Sequence, residues 1–500
     1  MLDVAINGFL SALAPSCILL TGAGVFLGII FGSIPGLTAG MAMVLCLPLS
    51  FAMTPLNGTA LLCGLFIGGI SGGLMSAILL KIPGTPASVA TVFDGYPMAM
   101  KGEAHKALGV GILFSFFGTI FGLIVLIFCA PPLAEFALTF SPFEYFSITF
   151  FALTLISALS TGSVVKGLLS GCVGVMFSLV GLSPVGGVPR FTMGFQELNA
   201  GFEMVPFLLG LFAISEMLHN CAHGFPDTRF TSSAVKMKGF GISFKEAWAQ
   251  KKNFTISSLL GNFIGILPGI GASTAGLVAY ITAKKMSKTP EKFGTGIIDG
   301  IVASESANNA CIGGALVPLL ALGIPGDSAA AILLGGLMMH NLQPGPLMFI
   351  TNGDLVYGVF GAMLVAACCM LCFEYFMIPL FARLLRIPKS MLMPLVVVMC
   401  LVGGFGVNNR IFDSISVLVF GLIGFAFLSF KFPLAPMVLG FILGHLVEMN
   451  FSRALMLSKG SYLPFMTRPI SAFFLVLAVF FIAYPYLKKY IFKDTSAPIP

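Results

Sequence analysis

A short polar segment between two apolar runs holds the residues best suited to chemistry in this chain. It reads SESANNA and spans residues 304–310. Glu305 lies three residues before Asn308 and four before Asn309, so a helix would place all three side chains on one face. Ionisable residues at membrane depth are candidates for function by default, and asparagine offers both donors and acceptors to a carboxylate or a dehydrated Na⁺. Hydrogen bonding between helices is the alternative role.

Four Pro-Gly pairs interrupt apolar sequence, in the same order in two parts of the chain. The first pair of each part begins at Pro35 and Pro268, which are 233 residues apart, and the second begins at Pro83 and Pro325, which are 242 apart. Proline removes a backbone donor, and a membrane tolerates the freed groups only where protein or a water-filled cavity surrounds them. Such paired breaks indicate the central site of a secondary transporter, although Pro-Gly pairs can also merely kink a span.

The second break of each part predicts an anion site. These breaks read IPGTPAS over residues 82–88 and IPGDS over residues 324–328. Unpaired amides at a helix N-terminus attract an anion, and unpaired carbonyls attract a cation. We therefore predict that the second breaks and the polar cluster bind substrate. The predicted residues are Lys81, Pro83, Gly84, Thr85, Ser88, Asn308, Asn309, Pro325, Gly326, Asp327 and Ser328.

The first breaks and the polar cluster predict a site for a coupling cation, which the sequence leaves open between Na⁺ and H⁺. The predicted residues are Ser33, Pro35, Gly36, Pro268, Gly269, Gly271, Glu305 and Asn308. Lys81 either pairs with a substrate carboxylate or extends to the surface. Arg190 and Asp94 lie beside turn-forming residues and are interpreted as loop anchors, with a role in transport as the alternative.

The composition predicts an all-α polytopic membrane protein. The 500 residues are 57% hydrophobic and only 9% charged, whereas soluble domains carry roughly 25% charged residues. Because a span needs about 20 apolar residues, the length allows on the order of 10 to 12 crossings plus re-entrant pieces. The net charge is +7, and the basic residues lie in loops. There they set the orientation of the chain in the membrane and contact anionic lipid, so nucleic acid is not an expected partner. Since the sequence has no phosphate-binding loop, zinc-protease motif or nucleophile elbow, we expect no enzyme activity and no cofactor.

Basic residues predict that the two repeats have opposite orientations. Residues 50–58, between the breaks of the first repeat, carry no Lys or Arg, and residues 101–106, after its second break, carry two lysines. The order reverses in the second repeat, with four lysines at 284–292 and no Lys or Arg at 341–354. Under the positive-inside rule the repeats are inverted. Residues 254–283 form either a re-entrant pair of half-helices, which we favour, or one kinked span.

The chain is predicted to form a single transmembrane domain over residues 1–500. We divide it into a first repeat core (18–125), connecting spans with a basic polar linker (126–253), a second repeat core (254–365) and C-terminal spans (366–500). The linker contains Arg229, Lys236 and Lys238 and a predicted amphipathic interfacial helix at 243–253, whose Trp248 suits that depth.

Five segments resemble the TctA family, the large membrane subunit of bacterial tripartite tricarboxylate transporters. They are GSIPGLTAGMAMVLCLPLSF (32–51), LLKIPGTPASVATVFDGYPMAMKGEAHKALG (79–109), VPRFTMG (188–194), GILPGIGAS (265–273) and ASESANNACIGGALVPLLALGIPGDSAAAILLGGLMMHNLQPGP (303–346). The resemblance covers essentially the whole chain. One departure is Lys81, where we expect a neutral polar residue in many relatives.

The resemblance implies a multi-pass permease of the bacterial inner membrane with an elevator-type mechanism. Its expected partners are a small TctB-like membrane subunit and a TctC-like periplasmic binding protein. Na⁺ or H⁺ gradients would drive uptake of di- and tricarboxylates such as citrate. An anion channel or a lipid-handling membrane protein is the alternative function.

Overall fold

The computed structural model describes residues 2–159, 163–183, 186–223, 239–384 and 389–491, and these are almost entirely helical. The helices are α1 (Leu2–Ala12), α2 (Pro15–Ser33), α3 (Ala39–Phe51), α4 (Pro55–Leu80), α5 (Val89–Met100), α6 (Ala104–Ala137), α7 (Pro142–Leu159), α8 (Val164–Ser178), α9 (Met204–Leu208), α10 (Ser215–His223), α11 (Phe244–Ala249), α12 (Lys251–Ile266), α13 (Gly271–Met286), α14 (Ile298–Leu322), α15 (Ser328–Met339), α16 (Pro346–Thr351), α17 (Gly353–Phe376), α18 (Ile378–Leu384), α19 (Lys389–Asn408), α20 (Ile411–Ser429), α21 (Leu434–Leu457), α22 (Leu463–Thr467) and α23 (Pro469–Ile491). A π-helical turn joins α9 to α10, and β1 (Gly181–Leu182) pairs antiparallel with β2 (Pro189–Arg190).

The all-α membrane class is confirmed. Within the described residues, seven helices are long and apolar enough to cross a membrane, and further apolar helices such as α3, α8 and α15 have only 10–17 residues. The seven are fewer than the expected crossings, and α3 and α15 are short because they begin at a Pro-Gly break. Arg229, Lys236 and Lys238 lie outside the described residues.

The chain divides into two compact units. The first contains Met1–Leu138 and Glu203–Ser429, and the second contains Thr139–Phe202 and Phe430–Pro500. Both predicted repeat cores lie in the first unit, while the predicted linker and C-terminal segments each divide between the units. In the second unit, Arg190 forms a two-pronged ion pair with Glu448, whose second contact measures 3.1 Å, so Arg190 is a loop anchor there.

Equivalent close contacts show that the two repeats pack in the same way. A Cβ atom at Gly32 would lie 2.2 Å from the carbonyl oxygen of Gly69, and one at Gly265 would lie 2.5 Å from that of Cys311. Gly32 and Gly265 are 233 residues apart and Gly69 and Cys311 are 242 apart, the same spacings as the Pro-Gly pairs. Glycine therefore lets α2 pack against α4 and α12 against α14 at backbone distance.

Each second break turns the chain back along the helix that it has just left. The residues that directly follow α4 and α14 are Lys81 and Gly323, and both lie in the left-handed region, at φ 60° and 74°. The returning Gly84 N–H then donates to the Gly73 carbonyl at 3.4 Å, and the Gly326 N–H donates to the Ala315 carbonyl at 3.3 Å. We call residues 82–88 tip 1 and residues 324–328 tip 2. Each tip thus places the start of the next helical segment against the side of a buried helix, which is α4 for tip 1 and α14 for tip 2.

Contacts between the loops agree with the inverted arrangement of the repeats. A Cβ atom at Gly58 would lie 2.7 Å from His340 Nε2, so the loops that carry no basic residue share one end of the unit. A Cβ atom at Gly296 would lie 2.9 Å from the Met98 nitrogen, so the two lysine-bearing loops share the other end. Helices α12 and α13 pack against each other across the break at residues 267–270, which agrees with two half-helices.

The predicted interfacial helix is shorter than expected, because α11 ends at Ala249 and α12 begins at Lys251. The Glu246 N–H donates to Ser243 Oγ at 3.2 Å, and the Glu246 carboxylate accepts the Ser243 N–H at 2.9 Å. Phe244 and Trp248 are 84% and 61% exposed, as an interfacial helix requires.

Acidification is expected to release α11, and Trp248, the only tryptophan, reports it. Hydrogen bonds from the Ser243 N–H and from Lys106 lower the pKa of Glu246 from 4.5 to about 2. Because the folded pKa lies below the unfolded one, the stabilising contribution is complete above about pH 4.5 and disappears as the pH falls through about 2. Trp248 fluorescence of the detergent-solubilised protein should change in that window and stay flat in Glu246→Gln. An identical transition in both proteins would contradict this.

Candidate functional site

The carboxylate of Glu305 is the centre of a fully buried polar cluster. Thr91 on α5 donates a short hydrogen bond to Oε1, and Ser115 on α6 donates to Oε2 at 3.0 Å. The Nδ2 groups of Asn308 and Asn309 lie 3.3 and 3.4 Å from the same Oε2. The predicted sharing of one helix face by Glu305, Asn308 and Asn309 is therefore observed, and two helices of the first repeat complete the cluster.

Asn308 connects this cluster to tip 1. Its Nδ2 donates to the Ala87 carbonyl at 3.1 Å, and its Oδ1 accepts from Asn309 Nδ2 at 2.8 Å. A Cβ atom at Gly276 would lie 3.4 Å from the Ala87 oxygen and 3.9 Å from Asn308 Cβ. Tip 1 of the first repeat therefore rests on α13 and α14 of the second.

Tip 1 offers neutral hydrogen-bonding groups. Ser88 Oγ donates to the Thr85 carbonyl at 2.9 Å and accepts the Thr85 N–H at 3.4 Å. Thr85 is 4% exposed, and its Oγ1 has no hydrogen-bond partner among the described residues. A buried hydroxyl without a partner carries a desolvation cost of about 1–3 kcal/mol, which a bound ligand would remove.

Tip 2 carries a charge at the equivalent position. Asp327, which is 242 residues after Thr85, accepts the Ala330 N–H on Oδ1 at 2.8 Å and so caps α15. Ser328 is the first residue of α15 and is partly exposed. The Asp327 carboxylate occupies the helix start that would attract an anion, so the two tips differ in electrostatic character.

Each tip contacts the first break of its own repeat. A Cβ atom at Gly84 would lie 2.1 Å from the Gly32 carbonyl oxygen, and one at Gly326 would lie 2.3 Å from that of Gly265. The Gly269 N–H donates to the Gly326 carbonyl at 2.7 Å. Pro83 and Pro325 belong to these tips, so the structure brings first and second breaks together within each repeat.

The predicted cation-site residues at the first breaks have equivalent conformations. Gly36 and Gly269 are 233 residues apart and have φ angles of 89° and 85°, and Gly271 has φ 72°. Pro35 and Pro268 are both buried. Ser33 Oγ donates to the Ile30 carbonyl at 3.0 Å, and the Gly36 carbonyl accepts from Asn220 at 3.4 Å.

The structure does not bring Lys81 to the buried cluster. Lys81 is exposed, with Nζ 5.6 Å from the centroid of the Tyr96 ring. Both residues line a surface cleft of about 550 Å³ together with Phe93, Met100 and Lys101. The surface interpretation of Lys81 therefore agrees with its position.

The sequence interpretation did not include Thr91 and Ser115 as site residues, and it did not single out Glu374, which is separate from the tips and from the Glu305 cluster. All three are fully buried, and Glu374 Oε2 accepts a hydrogen bond from Ser71 at 2.9 Å. Glu374 is the only charged residue in the apolar run 355–382. A single carboxyl in a long apolar run is the signal that could have identified Glu374, because placing a carboxyl inside a membrane costs free energy and such residues usually have a function.

Asp94 is the loop anchor that one sequence interpretation predicted. Its Oδ1 accepts the N–H groups of Gly294, Gly296 and Ile297 at 2.9, 2.8 and 3.2 Å, and its Oδ2 accepts from Tyr280 at 2.9 Å. Asp94 thereby fixes α5 of the first repeat to the loop before α14 of the second.

Asp94→Ala is expected to destabilise the protein strongly. The change leaves three backbone N–H groups without an acceptor, each at a cost of about 1–3 kcal/mol. The thermal unfolding midpoint of the detergent-solubilised protein should fall clearly. Glu291→Ala, at an exposed position in the same loop, is the control and should leave the midpoint unchanged. Equal midpoints for the two variants would contradict the anchoring role.

Comparisons with known proteins agree on one family. The model of the tripartite tricarboxylate transporter TctA family matches residues 18–439. An uncharacterized 52.8 kDa protein in the TAR-I ttuC' 3' region of Agrobacterium vitis is 34% identical over 489 residues, which are 96% of this chain and 95% of that protein. An uncharacterized protein in the TAR-II ttuC' 3' region of the same organism is 34% identical over 219 residues, 44% of this chain and 90% of that one. No solved structure matches the chain.

The match to the family model covers most of the chain and includes both repeats, the polar cluster and both tips. A multi-pass membrane protein with a transporter role in a system of several subunits follows from this match. The chain is a member of the tripartite tricarboxylate transporter TctA family.

Proposed function

We propose that the chain is the permease subunit of a binding-protein-dependent secondary transporter that takes up di- and tricarboxylates across the bacterial inner membrane. A TctB-like small membrane subunit and a TctC-like periplasmic binding protein would complete the system. The observation that carries the proposal is the contact of Asn308 with tip 1, because it joins an amide-rich helix start to a buried polar cluster.

The two tips support a division of roles in this proposal. Tip 1 has neutral groups, including the unpartnered Thr85 hydroxyl and Ser88, and suits a substrate carboxylate. Tip 2 has the Asp327 carboxylate beside the backbone groups of Gly269 and Gly271, and suits the coupling cation, Na⁺ or H⁺. The remaining predicted ligands, Asn309, Glu305 and the residues of the first breaks, would support these two sites. Movement of both tips as one elevator-type body belongs to the same proposal.

Uptake assays test the proposed function. The chain and its two partner subunits from the same genome are expressed together, and uptake of ¹⁴C-citrate is measured first, followed by other labelled di- and tricarboxylates. Removing Na⁺ and collapsing the proton gradient in separate experiments identifies the coupling ion.

Counterflow in proteoliposomes separates a carrier from a pore. A carrier saturates, and substrate inside the vesicle accelerates entry of labelled substrate. Flux that neither saturates nor responds to internal substrate would favour an anion channel and overturn the proposal.

A further inference from the structure

We propose that Glu374 is a proton-carrying residue of the transport cycle, separate from the tips and from the Glu305 cluster. The inference rests on the proposed secondary transport and names one coupling ion and one residue that carries it. During the cycle, one proton from water on one side binds the carboxylate Oε1 and forms the neutral acid. The same proton leaves that oxygen to water on the other side, and no other bond changes.

The surroundings of Glu374 require a bound cation or a proton. Glu374 is 0% exposed near the end of the membrane-spanning helix α17. No ion pair joins it to a basic residue among the described side chains, and an uncompensated carboxylate in a low-dielectric interior is very costly. Neutralisation is therefore a condition for the observed burial.

A proton satisfies the geometry of Glu374 better than a metal ion does. Ser71 on α4 donates to Oε2 at 2.9 Å, whereas Oε1 is buried and has no hydrogen-bond partner among the described residues. Metal cations take several oxygen ligands, whereas Ser71 is the one hydrogen-bonding partner that the described residues supply to the Glu374 carboxylate. A proton needs one free oxygen, and Oε1 is that oxygen.

Glu305 and Glu374 differ in the number of donors that surround them. Glu305 receives hydrogen bonds from Thr91, Ser115 and the two asparagines, so four protein groups can stabilise a negative charge on it. Glu374 has the single described donor Ser71. A buried carboxyl with one donor is more costly to ionise than a buried carboxyl with four donors, so Glu374 is the better carrier of the proton.

Among the described side chains, no charged group on the helices around α17 compensates Glu374. Helices α1, α2, α4, α6, α16 and α18 pack against α17. The charged and histidine side chains that the structure describes on these helices are Asp3, His105, Lys106 and Glu135, and Lys81 follows the last residue of α4. The side chain of Arg383 on α18 lies outside the described residues. Of the two lysines, Lys81 lies over Tyr96 and Lys106 pairs with Glu246 at 2.9 Å. The polar group that the described contacts place against Glu374 is Ser71.

Glu374 is placed where the state of tip 1 can influence it. Gly73 on α4 contacts tip 1, since a Cβ atom there would lie 2.6 Å from Thr85 Oγ1. Ser71 is two residues earlier on the same helix, a rise of about 3 Å and a rotation of roughly 200°. Tip 1 and Glu374 therefore contact opposite faces of α4 at nearly the same depth. A shift of α4 on substrate binding would change the contact between Ser71 and Glu374.

Glu374→Gln separates proton coupling from substrate translocation. Glutamine is always neutral and keeps the size of the side chain. A pH gradient of one unit coupled to a single proton supports about tenfold accumulation of substrate in the wild-type system. In Glu374→Gln we expect no accumulation driven by a pH gradient, while exchange of labelled for unlabelled citrate, which moves no net proton, stays within about twofold of wild type. Glu135→Gln, at an exposed position on α6, is the control and should retain both activities.

The outcomes distinguish this inference from the proposed function. If Glu374→Gln accumulates citrate like the wild type, or loses exchange and accumulation equally, Glu374 does not carry the proton. If the wild type itself shows no exchange, the proposed secondary transport is wrong, and the inference on Glu374 is overturned with it. Labelling of the wild-type protein by dicyclohexylcarbodiimide, which reacts with buried protonated carboxyls, needs no variant. Mass spectrometry should find the adduct on Glu374 increasing as the pH falls, and an unlabelled Glu374 at every pH would overturn the inference.

Discussion

Alanine at Gly84 or Gly326 is expected to reduce uptake by roughly ten- to hundredfold, because overpacking of about 1–3 kcal/mol would fall on tip 1, which is proposed to hold substrate, or on tip 2, which is proposed to hold the coupling cation. The new Cβ atom would lie 2.1 Å from the Gly32 oxygen at the first position and 2.3 Å from the Gly265 oxygen at the second. Each obstacle is backbone and cannot turn aside as a side chain would. Valine at either position should abolish uptake.

Initial rates of ¹⁴C-citrate uptake, normalised to the amount of each variant in the membrane, measure this effect. Gly406→Ala is the matched control, because Gly406 lies on α19 with no atom within 4 Å of its added Cβ. Normal uptake by both tip variants would mean that close packing of the tips is not needed for transport.

The repeat could be predicted from the sequence because its cause is local. A Pro-Gly pair breaks an apolar helix wherever it occurs, so four such pairs at two spacings were enough to identify α2–α5 and α12–α15 as related elements. The spacing of Gly32 and Gly265 then reappears in their contacts with α4 and α14. The inverted orientation of the repeats could also be predicted, because the number of lysines in each loop is read directly from the sequence and does not depend on packing.

Contacts between the repeats could not be read from the sequence. Thr91 and Ser115 are far from Glu305 along the chain, and only the packing of α5 and α6 on α14 brings their hydroxyls to its carboxylate. Lys81 shows the opposite case. Its neighbour tip 1 is part of the candidate site, but the left-handed end of α4 places the lysine in a surface cleft beside Tyr96.

Asp327 was predicted as a substrate ligand through its free amide, and that role stays a prediction. Its carboxylate caps the N-terminus of α15. Because aspartate is a common N-cap residue, the sequence IPGDS alone does not distinguish this cap from a ligand-binding role. The equivalent residue of the first repeat is Thr85, so the internal comparison of the repeats identifies a difference in charge. That difference is the basis for assigning the anion to tip 1 and the cation to tip 2 in the proposed function.

Asn308→Ala is expected to reduce uptake by at least about tenfold, because the change leaves the Ala87 carbonyl without its side-chain donor at a cost of about 1–3 kcal/mol. The lost hydrogen bond, 3.1 Å long, is the one that joins tip 1 of the first repeat to α14 of the second. Glu305 also loses a donor at 3.3 Å. The effect should appear mainly in substrate affinity, since tip 1 would no longer be held in position.

Asn450→Ala is the control for this change, because Asn450 is also a buried asparagine on a long apolar helix but donates only to the Leu446 carbonyl of its own helix at 2.8 Å. We expect less than about a twofold change in uptake for this variant, because the Leu446 carbonyl keeps the main-chain hydrogen bond that it makes within the helix. Concentration dependence of ¹⁴C-citrate uptake, with equal amounts of each protein in the membrane, compares the two. If both alanine variants transport equally well, the contact between the repeats at Asn308 does not hold the site together.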